Sequence, residues 1–253
     1  MTNARATRES RQAKAAAMRA AAAKAEARRR QMIVGAVALV LIALVIAIFA
    51  IVQTSKHNNA KNAGSTPGGF DGNYSVVVGQ ASAPVTVIAY EDFQCPACQQ
   101  YEKANRAQLA AYVKAGSIKI DYRPIAILDR SSSTNYSTRA LNAAAAVVTN
   151  SPSAFVTFHD LLYDNQPAEG TAGLKDQQLI DYAVQAGAPK AAVTAAVTKE
   201  IYKGWTVKAT DEATTKGGVS GTPTVKVNGK TLTDVSAASV KSTIDAAIAA
   251  AKK

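Results

Sequence analysis

Hydrophobic and polar positions alternate with different periods along this chain, and each period predicts a different element. Residues 32–52, MIVGAVALVLIALVIAIFAIV, form 21 positions without a charged or strongly polar side chain. At about 1.5 Å of rise per residue such a run reaches roughly 30 Å, the thickness of a bilayer core, and predicts a transmembrane helix. It is longer than the roughly 7–15 apolar residues of a cleaved signal peptide. Gln53 and Thr54 follow it without a small-x-small cleavage site, so an uncleaved signal anchor is expected. Residues 53–72, QTSKHNNAKNAGSTPGGFDG, are polar and rich in Gly, Asn and Ser; they predict a flexible linker.

From residue 73 the pattern becomes that of a folded domain. YSVVV (74–78) and VTVIAY (85–90) read as strands, the second buried and running into a helix with Pro96 in its first turn and Gly116 at its end. SIKIDYRPIAIL (117–128) is the next strand, with Ile118 and Ile120 on one face. Between about 131 and 216 apolar residues recur at three- and four-residue spacing, in LNAAAAVVTN, SAFVTFHDLLYDN, DQQLIDYAVQAG and KAAVTAAVTKEIYKGWTVKATDEATTKGG, and predict helices. TPTVKV (222–227), Asn228-Gly229 and KTLTDV (230–235) read as a hairpin, since Asn-Gly suits a two-residue turn. SAASVKSTIDAAIAAAKK closes the chain as a helix capped by Ser236. Strand–helix–strand, then helices, then a hairpin, argues an α/β sheet carrying a helical insertion.

Charge adds topology. The net charge of +11 is concentrated in residues 1–31, which hold nine Lys/Arg against Glu9 and Glu26. Residues 73–253 are nearly balanced, so the basic pI does not imply nucleic-acid binding by the domain. Basic residues ahead of an apolar span stay cytoplasmic, which places the C-terminal domain outside the membrane.

The chain has two cysteines, Cys95 and Cys98, in YEDFQCPACQQ. As a disulfide staple they would close too short a loop to stabilise much. A structural zinc site wants four protein ligands, and no third cysteine exists while His57 and His159 lie far off in sequence, so no metal is expected. A reactive dithiol fits: residues three apart at a helix start share a side, and Cys95 would sit where unpaired N–H groups and the helix dipole favour an anion. A thiol pKa falling from about 8.5 to about 5 would favour the reduced form by roughly 5 kcal/mol at high pH and make the disulfide an oxidant. Cys98, one turn in, would be shielded and resolve the mixed disulfide.

The run GQASAPVTVIAYEDFQCPACQ resembles the active-site segment of the DsbA-like branch of the thioredoxin superfamily. Tyr122-Arg123-Pro124 and Val219-Ser220-Gly221-Thr222-Pro223-Thr224 match it too, and the likeness covers about 74–251. It implies a thioredoxin fold with a helical insertion, here preceded by one transmembrane helix, and a protein disulfide oxidoreductase without a cofactor. It also implies a cis Thr222–Pro223 bond facing the cysteines, with Pro96 and Ala97 between them and the Thr222 backbone open to an extended substrate. Exported cysteine-containing proteins would be substrates, and a quinone-linked membrane oxidoreductase the redox partner. One position departs: the family's buried acid six residues before the first cysteine is Ala89 here. Glu91 falls on the same strand face and Asp92 on the other, making Glu91 the candidate proton relay to Cys98. His159 reads as a helix-face residue and Trp205 as a packing residue. A thiol reductase, or a non-catalytic thioredoxin-like peptide-binding module, are the alternatives.

Overall fold

The computed structural model describes residues 65–70, 72 and 74–252, together with 32, 42–44 and 46–47. The chain divides into two compact units, Met1–Lys56 and His57–Lys253. Among the described residues no helix is long and apolar enough to cross a membrane. The basic tail, most of the expected anchor at 32–52 and the linker through 64 lie outside the described residues.

The second unit is built on a five-stranded sheet of order β1-β3-β2-β4-β5. The strands are β1 (Val76–Val78), β2 (Val85–Glu91), β3 (Ile118–Pro124), β4 (Thr224–Val227) and β5 (Lys230–Thr231). β2 and β3 run parallel, joined by helix α1 (Pro96–Lys114); β1–β3, β2–β4 and β4–β5 pair antiparallel. On β2, alternation sends Val85, Val87, Ala89 and Glu91 to one face, Ile88 and Tyr90 to the other. The first face packs into the main core beneath α1 and α7 (Ala237–Ala251). Tyr90 joins a small second cluster with Ile125, Ala213 and Val219.

The insertion holds α2 (Tyr136–Asn150), α3 (Phe155–Asp164), α4 (Asp176–Gln185), α5 (Lys190–Thr198) and α6 (Lys203–Thr215). Helix α2 is its hub; Ala140 to Val148 are all buried, small enough to let four helices close around them. These helices run from Tyr136 to Thr215.

Three local expectations change. β3 stops at Pro124, which has no N–H for a further ladder bond. β5 is only two residues long, although Asn228 (φ 47°) and Gly229 (φ 82°) make the expected tight turn. The last helical run divides at Glu200 (φ 47°). There the buried Asn142 of α2 donates from Nδ2 to the Ala196 carbonyl (3.1 Å) and accepts from the Tyr202 N–H (2.8 Å), closing both broken ends. Residues 65–70 of the expected linker lie on the domain: Ser65 donates to the Ile201 carbonyl (2.9 Å) and Phe70 packs on Trp205, centroids 4.4 Å apart.

Asn142→Leu strands the buried Tyr202 N–H, while the Ala196 carbonyl keeps its bond from the Ile201 N–H, so a loss of about 1–3 kcal/mol is expected. Urea unfolding checks it: the midpoint should fall while the slope holds.

Candidate active site

β2 becomes α1 through a four-residue bend that is fastened from two sides. The fully buried Asp92 carboxylate accepts from the N–H groups of Gln94 and Leu128, each at 2.9 Å, and its carbonyl accepts from Cys95 N–H at 2.9 Å. Burial pushes the Asp92 carboxyl up to about 6 against the pull of these donors. Gln94 donates back to the Leu128 carbonyl at 2.9 Å. From the insertion, Gln166 donates to the carbonyls of Phe93 and Cys95, both at 3.0 Å.

Cys95 is the N-cap of α1, with extended φ/ψ of −75° and 117°, and Pro96 begins the helix. Pro at that position gives up only an N–H that no helical carbonyl could use. Pro96 and Ala97 are exposed and form the lip of the site, while Cys95 is 6% exposed and Cys98 fully buried. Both are free thiols. Cys95 Sγ lies 3.2 Å from the Thr222 carbonyl, to which its thiol donates, just before the cis Thr222–Pro223 bond.

The Cys95 thiol is lowered from 9.0 to about 6. The hydrogen bond from the Cys98 thiol is the leading cause; burial opposes it, and Thr222 and the N–H groups of Cys98 and Ala97 assist. The expected helix-tip donors are therefore present, but a neutral neighbouring thiol contributes more. Cys98 moves the opposite way, well above 9.0, through burial first, then its bond to Cys95 and the negative charges of Glu91 and Cys95. One sulfur is set to be an anion, the other to keep its proton.

The strand alternation correctly puts Glu91 on the core side, where it is 2% exposed rather than solvated. His159, read from sequence as a helix-face residue, is also 2% exposed, and its Nε2 lies 3.2 Å from Glu91 Oε2. Glu102, four residues beyond Cys98, completes the group, which sequence reading had not singled out. Ligand atoms of Glu91, Glu102 and His159 all lie within 4.8 Å of one another. Among the described residues this trio is where a metal could be held, a combination hidden from any count of cysteines and histidines.

A thioredoxin family model matches residues 72–246. The reduced DsbA of Mycobacterium tuberculosis, a crystal structure, is 30% identical with a TM-score of 0.59, covering 70% of this chain and 99% of that one. Oxidised BdbD from Bacillus subtilis has a TM-score of 0.63 over 74% of this chain and 98% of its own; at 22% identity it speaks to the fold alone. Serine/threonine-protein kinase PknE of Mycobacterium tuberculosis is 31% identical over 160 residues, 60% of this chain. The chain spans only 28% of that kinase's length.

Thiolate absorbance of the reduced protein should titrate with a midpoint near 6 for Cys95, and Cys98→Ala should raise that midpoint by removing its leading donor. The sign for stability follows from a depressed folded-state value. The reduced form's thiolate contribution is complete above 9.0 and fades as pH falls towards about 6. Calorimetry of reduced against oxidised protein should therefore show the balance moving towards the reduced form between those limits as pH rises.

Proposed function

We propose, on the premise that this chain belongs to the thioredoxin family and is a DsbA-like protein disulfide oxidoreductase, that it forms disulfides in exported proteins on the outer side of the cell membrane. The observation that carries the oxidising direction is the contrast between the two thiols, Cys95 lowered to about 6 and Cys98 raised. Stabilising the reduced state as a thiolate makes the disulfide easier to reduce, hence a stronger oxidant.

A substrate thiolate attacks Sγ of Cys95 in the oxidised protein. The new substrate–Cys95 bond forms as the Cys95–Cys98 bond breaks, and Cys98 leaves, taking up a proton. A second substrate thiolate attacks the substrate sulfur of this mixed disulfide, and Cys95 departs as its stabilised thiolate. The substrate has lost two electrons and the protein has gained them. An extended substrate chain lies beside Thr222, whose carbonyl is already at Cys95. Glu91, buried on the Cys98 side, serves as the acid–base group in place of the family's missing acid at Ala89. A quinone-linked oxidoreductase in the membrane returns the protein to its disulfide.

The compartment reading draws on the sequence: nine basic residues before a 21-residue apolar run orient the domain outward. An oxidising exterior is also where such a disulfide persists.

Two measurements test the function. Cys98→Ser should trap exported proteins as mixed disulfides on Cys95, which a non-catalytic binding module would not do. The reduction potential should lie nearer about −120 mV than about −270 mV; a value at the latter end would make the protein a reductase.

A further inference from the structure

The exchange cycle puts a proton on Cys98 once and takes it off once per turnover, yet Cys98 has no exposure to water. The fold supplies a column of groups leading away from it. On α1, Cys98, Glu102 and Arg106 are spaced four apart and so share one helix face. They run outward from a buried thiol, through a buried carboxyl, to a side chain that is 28% exposed. On α3, His159 stands across from this column. Its Nε2 is 3.2 Å from Glu91 Oε2, and its Nδ1 is 3.7 Å from Asp160 Oδ1. Arg106 holds the outer end, 2.9 Å from Asp160 and 2.9 Å from Asp164, with its Nε 4.0 Å from Glu102. The imidazole therefore has Nε2 on the buried Glu91 carboxylate, while Nδ1 has no hydrogen-bond partner among the described residues and faces the half-buried Asp160 carboxylate.

We propose that Glu102 and His159, together with Glu91, relay the Cys98 proton between the buried thiol and the half-buried carboxylate Asp160. The inference rests on the disulfide-exchange reading and extends it to how the proton crosses the core. When Cys98 attacks a mixed disulfide, its S–H bond breaks and the proton passes to the trio while the Cys98–Cys95 bond forms. When the protein disulfide is reduced by substrate, Cys98 leaves as a thiolate and takes a proton back. Neither step needs a further oxidant or reductant.

Two carboxyls within 4.8 Å of each other, both buried, cannot both be charged at low cost, which favours a proton on Glu102. Glu91 Oε1 and Glu102 Oε1 have no hydrogen-bond partner among the described residues. Burial first, then the charge of Glu91, raises Glu102 to about 8. Burial acts to lower His159, but the Glu102 charge and the Asp160 and Glu91 contacts prevail and push it up to about 10. The two titrations depend on each other: an ionised Glu102 favours a protonated His159 and a protonated Glu102 removes that pull, so the trio's protons can sit on either group. The other groups facing it are Tyr101 on α1, Tyr122 on β3 and Tyr163 on α3; burial raises all three phenols well above 10.0, which keeps them out of the titration. A cation in the trio would have to displace these protons beside the Arg106 guanidinium, which favours proton storage over metal binding.

The test separates the two thiol steps in the full-length protein. Reduced enzyme is mixed with a fluorogenic glutathione disulfide, and attack by Cys95 and then by Cys98 is followed in time. Glu102→Gln and His159→Gln should leave the first step and the Cys95 thiolate titration in place. They should slow the second step by about 10²-fold, flatten its pH profile and reduce its solvent deuterium effect. Glu91→Gln should do the same. If His159→Gln fails to fold, Glu102→Gln, which keeps the side chain's shape, decides alone. A second step with the parent's rate and pH profile in Glu102→Gln overturns the relay. Absence of any mixed disulfide in the parent would instead overturn the exchange reading, and the relay with it.

Discussion

The structure depends on one constraint: an anionic sulfur needs donors, and the first turn of a helix has them to spare. Cys95 occupies the N-cap, so the nucleophile is itself the cap of α1. Ordinary N-caps are short oxygen-bearing side chains that satisfy the N2 or N3 amide. Here the thiol makes no such cap bond and donates instead to the Thr222 carbonyl, while the Cys98 thiol and the nearby N–H groups of Cys98 and Ala97 favour its anion. The rest of the site keeps this sulfur at the correct depth. Asp92 and Gln166 fasten the bend before it, and Thr222 faces it from β4's leading edge. The difference between the cysteines is then a matter of depth: one turn of helix separates a sulfur at the lip from one with no solvent at all.

That second sulfur forces ionisable groups into the core. Buried carboxyls are costly unless neutralised or paired. The protein sets an imidazole against Glu91 and Glu102, favours the neutral form of Glu102 through burial, and places Arg106 at the outer end. A cluster satisfied by protons rather than by fixed salt bridges is one whose charge can change without unfolding the core.

Features that were legible in the sequence were those decided locally. Asn228-Gly229 turns because both positions take positive φ, and Ser236 caps α7 by accepting from Ser239 N–H, as its hydroxyl suggested. The cysteine pair, Thr222 and Pro223 were readable through their motif, and Glu91 through strand alternation. What escaped was settled across the fold. Nothing near Glu200 announces the break between α5 and α6, because its capping groups belong to Asn142, about sixty residues earlier. His159 sits in FVTFHDLLYD among Phe155, Phe158 and Leu162, a setting that reads as a core face. Only the packing of α3 against β2 and α1 brings it to Glu91 and Glu102. The usable hint was Glu102, an acid four residues after Cys98 on a helix face otherwise bound for the interior.

Gln166 follows the last turn of α3, inside the segment that interrupts the sheet, yet its amide grips the two carbonyls that flank Gln94. The reactive bend is thus completed by a part of the chain lying outside the strands that define the domain. Changes in the insertion's length or orientation could retune how tightly the nucleophile is presented while leaving every strand pairing intact, which gives evolution a dial for reactivity detached from the scaffold itself.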